Sequence, residues 1–199
     1  MSVDALKPLD QVLTPDSRWT QGYNLILEEH HAGIAEFELH TQVPEEVRQH
    51  FENARNTWLY AFFEYRLLSV SLLMLLVSCE AALKFRAKQE KRFKKNDGFQ
   101  KLMNTAISER WLLDAHFSAT LKIQAWRWER DRETAIDMDQ PDPGPWKPSE
   151  DAQTIARWAA WFFPKLRNEA AHGGTFLHPN ASRHFRVVSE LINQLFPPP

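Results

Sequence analysis

The sequence has little cysteine, little glycine and little net charge, and each deficit excludes a class of protein. A single cysteine, Cys79, among 199 residues cannot form a disulfide bond within the chain. The six glycines form neither a phosphate-cradling loop nor a nucleophile elbow. A net charge of −2 excludes attraction of nucleic acid by the molecule as a whole, and leaves only a local basic surface for such binding.

Long apolar runs and targeting signals are also scarce. The most apolar stretch, residues 67–77, is about half as long as a membrane-spanning helix, so we expect a buried core helix rather than a membrane anchor. Residues 1–10 lack the basic and apolar regions of a secretory signal. Together with the single cysteine, these absences predict a cytoplasmic protein that has no membrane partner.

The first 43 residues differ from the rest of the chain. Two short apolar runs, residues 23–28 and 34–39, each contain a period-two element, and His30-His31-Ala32-Gly33 lies between them. This pattern predicts a β-hairpin, which is marginally stable alone and has to pack on the helices. We therefore divide the chain into an N-terminal extension with this hairpin, residues 1–43, and a helical bundle, residues 44–199.

The remainder of the chain predicts helices. No glycine and no further proline follow Pro44 up to Lys95, and apolar residues recur there at helical spacing. One helix of that length, about 75 Å, is too long for a compact domain, so we expect a break around residues 63–66 before a buried central helix. The fold class is mainly α, a helical bundle of about six helices with a small N-terminal β-hairpin. Further helices are predicted over residues 99–107, over residues 112–132 and from Asn180 onward. Another is predicted from a cap at residues 149–151 to Gly173, and we expect Pro164 to kink or restart it.

The segment Arg167-Asn168-Glu169-Ala170-Ala171-His172 is the main candidate for a functional site. An arginine holds a phosphate in a fork of N–H donors, and a histidine moves a proton near neutral pH. Arg167 and His172 together form a minimal set for cutting a phosphodiester bond without a metal. On a continuous helix they lie about 140° apart, so the long arm of Arg167 or a turn of the backbone at His172 has to bring them together.

Simpler interpretations of these residues stay open. His172 is also placed to cap the C-terminus of a helix, with Arg167 on a solvated face. A similar pair, Arg110 and His116, occurs elsewhere in the chain at a slightly longer spacing. The histidines do not combine with a cysteine cluster as in a typical metal site, and we expect neither a metal nor another cofactor.

A strongly basic segment ends the predicted central helix. Seven of the twelve residues 84–95 are basic, and only Glu90 is acidic. Such a concentration on a nearly neutral protein suits a nucleic-acid backbone, although a solvated helix end that complements the helix dipole is an equally common use. Glu80 lies just before this segment, where it can pair with Lys84, four positions on, or with Arg167. The candidate RNA-binding residues are Lys84, Arg86, Lys88, Lys91, Arg92, Lys94 and Lys95.

In this setting, the segment from Arg167 to His172 resembles the signature of the HEPN superfamily, in which an arginine is followed by a polar residue, three further residues and a histidine. The similarity covers residues 44–196 and includes a long helix with an apolar centre, an acid and a basic end. The resemblance implies a helical bundle that dimerises and brings two copies of the motif into one cleft. It also implies a metal-independent endoribonuclease in a toxin–antitoxin, phage-defence or RNA-processing system.

The resemblance implies a role for each motif residue. His172 is the acid–base group for attack of a ribose 2′-hydroxyl on the adjacent phosphate, Arg167 stabilises the charge that develops there, and Asn168 orients the site or touches the RNA. Glu80 is a supporting residue. A homodimer also has an independent motive, because one motif supplies one histidine whereas cleavage profits from both an acid and a base. The expected partners are RNA, a second copy of the chain and an antitoxin or regulatory protein.

The chain departs from some family members at one position. Their histidine is followed two positions later by a tyrosine that a nucleotidyltransferase antitoxin modifies, whereas this chain has Gly174. The difference puts regulation by that route in doubt. Because other members are catalytically silent, the alternatives are a module that binds RNA, a nucleotide or a partner protein, and a purely structural helical domain.

Overall fold

The computed structural model describes residues 5–22, 24–138, 140–142, 144–145, 147, 154–172 and 181–198. Within these ranges the chain forms eight α-helices and two short 3₁₀ turns, and it contains no β-strand. The predicted mainly α bundle is therefore confirmed, with more helices than expected. The helices are α1 (Ser17–Gly22), α2 (Leu27–Ala35), α3 (Glu45–Tyr60), α4 (Leu67–Gln89), α5 (Phe99–Ser108), α6 (Ser118–Asp137), α7 (Thr154–Ala171) and α8 (Ala181–Leu195).

The predicted N-terminal β-hairpin is wrong. The segment His30-His31-Ala32-Gly33, predicted as its turn, lies inside α2. His30 and Ile34 are four positions apart and both are buried, which gives α2 one inward face, and two glutamates occupy its first turn at the positive end of the helix dipole. The period-two runs are too short to outweigh this helical pattern. Tyr23 lies outside the described residues.

The helices α3 and α4 form the centre of the bundle. α3 begins directly after Pro44, and the chain breaks over residues 61–66 before α4 begins, so the predicted helix start and the predicted break are both confirmed. α4 packs against α3, α5, α7 and α8. Its residues Leu75, Leu76 and Cys79 are completely buried, and burial raises the pKa of the Cys79 thiol far above its ordinary value.

Among the described helices, only α4 is long and apolar enough to cross a membrane. Half of its most apolar window is buried inside the bundle. Length and composition alone do not distinguish a membrane span from the central helix of a packed domain. The contacts of α4 with four other helices account for the buried half of this window.

The start of α7 is held by a carboxylate from a distant part of the chain. Asp114, in the 3₁₀ turn Asp114–His116, accepts hydrogen bonds from the backbone N–H groups of Ile155 and Ala156, both at 2.9 Å. These are N–H groups of the first helical turn, which have no acceptor within the helix. The cap predicted at residues 149–151 lies outside the described residues.

The bounds of α6 differ from the prediction. α6 begins at Ser118 and ends at Asp137, later than the predicted residues 112–132, because the 3₁₀ turn that contains Asp114 precedes it. α7 continues through Pro164 to Ala171, so of the predicted kink or restart at this proline the restart does not occur. Gly173 and Asn180, the predicted end of α7 and start of α8, lie outside the described residues.

The N-terminal helices share the core of the bundle. Trp19 in α1 donates from Nε1 to the carbonyl of Ala61 at 2.7 Å. The Nε2 atom of His30 in α2 lies 2.9 Å from the carbonyl oxygen of Trp58 in α3. Trp19 and Trp58 belong to one buried cluster with residues of α4, α7 and α8. These helices therefore cover one end of α3.

Candidate functional site

The last turn of α7 carries the three motif residues Arg167, Asn168 and His172. The backbone N–H of His172 donates to the carbonyl of Asn168 at 3.0 Å, so helical geometry continues as far as His172. Five helical positions correspond to a rotation of about 500° and a rise of about 7.5 Å. The Cα–Cβ bonds of Arg167 and His172 therefore leave α7 about 140° apart, as their spacing predicts.

The guanidinium of Arg167 is held in place by two neighbours. Its Nε and Nη2 atoms donate to the same oxygen of Glu80, Oε2, at 3.1 and 2.6 Å. Its Nη1 atom donates to Oδ1 of Asn168 at 2.8 Å. The Arg167 side chain is 29% exposed and that of Glu80 is 12% exposed. Arg167 is thus anchored to α4 and still reaches solvent.

Glu80 binds two cations, and both pairings left open by the sequence occur. Its other oxygen, Oε1, accepts from Nζ of Lys84 at 2.7 Å. Burial by itself would raise the pKa of Glu80, but the hydrogen bonds and positive charges of Lys84 and Arg167 outweigh burial and lower the pKa below its ordinary value. Glu80 is therefore ionised at neutral pH, and the three side chains carry a net positive charge. Such a cluster attracts an anion.

Arg167 has donor capacity left for a ligand. A guanidinium has about five N–H donors, and the contacts with Glu80 and Asn168 use one on each nitrogen. One N–H on Nη1 and one on Nη2 remain. Arg167 lines an open cavity of about 410 Å³ between α7 and the first turn of α5, and Gln100 and Lys101 line the same cavity from α5.

His172 does not line this cavity. Its side chain is exposed, and its imidazole makes no hydrogen bond or ion pair with any described residue. The structure therefore brings Arg167, Asn168, Glu80 and Lys84 together but does not bring His172 to the guanidinium within one chain. Residues 173–180, which follow His172, lie outside the described part of the chain.

The basic segment runs from this cluster to the end of α4 and beyond. Lys84 and Lys88 are four positions apart and share a face of α4 with Glu80. Lys84 and Arg86 are half-buried, and Arg86 pairs with Glu90 at 2.9 Å. The five other candidate RNA-binding residues are exposed, namely Lys88, Lys91, Arg92, Lys94 and Lys95. An exposed basic strip thus begins at the Arg167 cluster.

Two neighbours of this strip were not predicted from the sequence. Trp111 lies under the guanidinium of Arg86, 5.6 Å from Cζ to the ring centre. Glu109 pairs with Arg92 at 3.3 Å. No regular spacing relates these residues, because α5 and its connection to α4 bring them together. Arg110 lies just past α5 and His116 lies in a separate 3₁₀ turn, so the competing pair shares no helix.

A larger cavity, about 540 Å³, is lined by residues distant in sequence from the motif, among them Lys7, Asp16, Arg18 and Glu64. Asp16 accepts hydrogen bonds from Arg18 and from the backbone N–H of Tyr65, which gives these polar groups a structural role. Size alone therefore does not make it the functional site. In the described ranges, no group of three or more His, Cys, Asp or Glu side chains is arranged to hold a metal ion.

Comparisons of the chain with models of protein families, with curated proteins and with solved structures find no match. The resemblance to the HEPN superfamily therefore rests on the motif and the helical layout of this chain alone, and it stays a prediction.

Proposed function

We propose that the protein is a metal-independent endoribonuclease of the HEPN type that acts as a homodimer. The observation that carries the proposal is the anchored guanidinium of Arg167, which keeps two N–H donors free. The exposed imidazole of His172 follows five positions later, at the end of α7. An anchored guanidinium is organised in advance for the charge that develops on a phosphate in the transition state. The exposed basic strip on α4 provides the charge that holds an RNA backbone nearby.

The proposed reaction needs only proton transfer and charge stabilisation. An imidazole of His172 takes the proton of a ribose 2′-hydroxyl, and the oxygen attacks the adjacent phosphorus. Arg167 stabilises the negative charge on the phosphate oxygens. A second, protonated imidazole gives a proton to the departing 5′-oxygen as the P–O bond breaks. The products are a 2′,3′-cyclic phosphate and a 5′-hydroxyl.

The geometry of α7 is the reason for a dimer. Arg167 and His172 lie on different sides of one helix, and the motif of each chain has one histidine. A twofold axis near this helix end would bring the second chain's copy of His172 to the site. Trp161 lies on the same side of α7 as His172, since eleven positions correspond to about three full turns. It is 59% exposed, and a large exposed aromatic ring is a typical anchor of a protein interface.

The test uses purified protein and a labelled RNA in the presence of EDTA. His172→Ala and Arg167→Ala should each lower the cleavage rate at least about 100-fold, and the wild-type products should carry cyclic phosphate ends. Excess His172→Ala chain added to the wild type should lower the cleavage rate per wild-type chain, because a mixed dimer contains only one imidazole at position 172 and the reaction needs two. Glu169→Ala is a matched control, since Glu169 is exposed and Lys165 is its one ion-pair partner among the described residues, and its rate should equal the wild-type rate.

Absence of cleavage in the wild type at high protein concentration would count against the enzyme and would favour a second candidate, a catalytically silent module that binds RNA, a nucleotide or a partner protein. One observation favours this candidate: the cavity beside Arg167 does not include His172. It is then expected that Arg167→Ala weakens nucleotide or RNA binding whereas His172→Ala does not. A cleavage rate per wild-type chain that excess His172→Ala leaves unchanged would contradict the shared site.

The proposed cellular role is a toxin or phage-defence nuclease that an antitoxin or regulatory protein restrains. Induced expression of the wild type should then arrest bacterial growth, and expression of His172→Ala at the same level should not. Equal growth of both cultures, with cleavage retained in vitro, would contradict this role without affecting the proposed chemistry.

A further inference from the structure

The C-terminal ends of α4 and α5 have the same unusual cap. After α4, Lys91 has a φ of 55°, and the N–H of Arg92 donates back to the carbonyl of Ala87 at 2.8 Å. After α5, Arg110 has a φ of 58°, and the N–H of Trp111 donates back to the carbonyl of Ala106 at 2.9 Å. Both are Schellman motifs, in which the left-handed residue is ordinarily glycine.

Long cationic side chains at these two positions are conformationally unfavourable. A side chain with a Cβ atom is strained in the left-handed region, and glycine is not. Among the described residues, the only other non-glycine residue with a positive φ is Asn24, at 49°, and asparagine tolerates this conformation. Complementing the helix dipole does not explain Lys91, because Arg86 and Lys88 already occupy the last turn of α4.

The two capped ends are in contact and form one surface. Arg92 pairs with Glu109 at 3.3 Å, and the guanidinium of Arg86 lies over the ring of Trp111. The two acids of this surface are neutralised, Glu90 by Arg86 and Glu109 by Arg92. Lys91 and Arg110 are exposed, and neither forms an ion pair within the described part of the chain. We call residues 86–92 and 109–111 the double-cap surface.

We propose that the double-cap surface binds the phosphate backbone of single-stranded RNA, with Lys91 and Arg110 as the phosphate contacts. The inference rests on the proposed function, since it extends the basic strip that begins at Lys84 beside Arg167 to the end of the bundle. Lys91 and Arg110 contact separate phosphates, and the exposed Lys88 adds a further cation without an acidic partner among the described residues. Backbone strain that is retained at a cation points to a ligand contact.

The test exploits opposite effects on stability and binding. Lys91→Gly and Arg110→Gly should each raise the midpoint of thermal unfolding by about 2 °C, because glycine relieves the strain. In a His172→Ala background with EDTA, each should weaken binding of a labelled oligouridine of about 16 nucleotides about threefold, and the double variant about tenfold. The slope of log affinity against log salt should fall by about 0.7 for each lost contact.

Asn24→Gly is the matched control, because it places a glycine at a left-handed residue that carries no charge. It should change the midpoint of unfolding less than the other two glycine substitutions and leave RNA affinity unchanged. Lys91→Arg and Arg110→Lys keep the charge and should keep the affinity. If a glycine variant does not fold, Lys91→Asn and Arg110→Asn provide the same comparison, since asparagine accepts the left-handed conformation without a charge.

The possible results separate this inference from the proposed function. If both glycine variants bind RNA with the same affinity and the same salt slope as the protein without them, the proposed role of the double-cap surface is wrong and the nuclease proposal is unaffected. Loss of affinity in these variants together with cleavage that His172→Ala does not abolish would support the surface and overturn the proposed chemistry. Competition by polyglutamate of equal length as strong as by oligouridine would overturn RNA as the ligand.

Discussion

At the scale of single residues, the geometry of the site depends on one carboxylate. Glu80 fixes the direction of Arg167 through two hydrogen bonds and holds Lys84 at its other oxygen. Its lowered pKa shows that the attraction of these cations outweighs the cost of partial burial. For the proposed phosphate contact, Glu80 restricts the arginine beforehand and so reduces the conformational freedom that it would lose on binding.

We expect Glu80→Gln to lower the free energy of unfolding by about 1 to 2 kcal/mol, because it leaves two cations close together without their anion. The loss is smaller than for a fully buried ion pair, since Lys84 is 40% exposed. Urea unfolding at neutral pH measures it. The difference from wild type should shrink as the pH falls through the lowered pKa of Glu80, because the stabilisation exists only while the carboxylate is ionised.

Glu52→Gln is a suitable comparison for this experiment. Glu52 pairs with Arg55 on the surface of α3, three positions away, and is 44% exposed. Its loss should cost at most about 0.5 kcal/mol. Equal effects of Glu52→Gln and Glu80→Gln would show that the Glu80 cluster contributes no more than an ordinary surface ion pair.

The sequence predicted part of this residue-scale arrangement. The separation of Arg167 and His172 follows directly from helical periodicity, and the pairing of Glu80 with Lys84 follows from their spacing. The contact between Glu80 and Arg167 was one of two open alternatives, since it depends on how α4 packs against α7. The cavity beside Lys101 had no sequence signal, because tertiary packing alone places α5 next to the motif.

At the scale of elements, α7 is fixed at both ends by carboxylates from other segments. Asp114 holds its first turn and Glu80 holds Arg167 near its last turn. The side chain of Asp114 is completely buried, so its two hydrogen bonds are shielded from water. The direction in which α7 presents the motif is therefore determined by contacts at its two ends as well as by its apolar face.

Asp114→Asn should destabilise the protein by about 1 to 3 kcal/mol, since an amide has one acceptor oxygen for two N–H groups and lacks the charge that favours a helix N-terminus. Thermal or urea unfolding measures the change. Asp131→Asn on the exposed surface of α6 is the control, and it should change stability by less than about 0.5 kcal/mol. A loss no larger than that of the control would contradict the capping role.

The prediction of elements succeeded where a long apolar pattern dominates and failed where the pattern is short. α3, α4 and α8 follow from helical spacing over many residues, and the break between α3 and α4 follows from the length limit of a compact domain. α2 has nine residues, and its alternating flanks resemble strands. Burial of His30 and Ile34 against α3 decides its conformation, and that is tertiary information.

At the scale of the whole molecule, two buried polar residues join the N-terminal helices to the bundle. Burial alone would raise the pKa of Asp16, but hydrogen bonds from Arg18 and from the N–H of Tyr65 outweigh it and lower the pKa to about 2. Burial lowers the pKa of His30, which sits among the rings of Trp19 and Phe62. Both residues make this junction sensitive to acid, in different ranges of pH.

The free energy of unfolding should fall in two stages as the pH is lowered. Because the pKa of His30 is lower in the folded chain, the unfolded chain binds a proton at a higher pH than the folded chain does. The free energy of unfolding therefore declines as the pH falls below about 6.5, by at most about 1.4 kcal/mol per pH unit. Asp16 contributes stability above its ordinary pKa of 3.8, and this is lost as the pH falls to about 2. Urea unfolding across this range measures both stages.

The neighbouring histidine provides the control for the first stage. His31→Gln changes an exposed residue on the same helix and should keep the decline below pH 6.5, whereas His30→Gln should remove it. If both variants keep the same pH profile as the wild type, the decline arises elsewhere in the molecule.

The buried thiol of Cys79 has a practical consequence for kinetic work on this protein. Alkylating reagents attack the thiolate, and the folded chain offers them neither access to the sulfur nor a deprotonated sulfur. Since the chain has no other cysteine, the rate at which such a reagent labels it reports how often the interior around α4 opens. Mass spectrometry of the alkylated chain thus measures the rate of these opening events without an introduced probe.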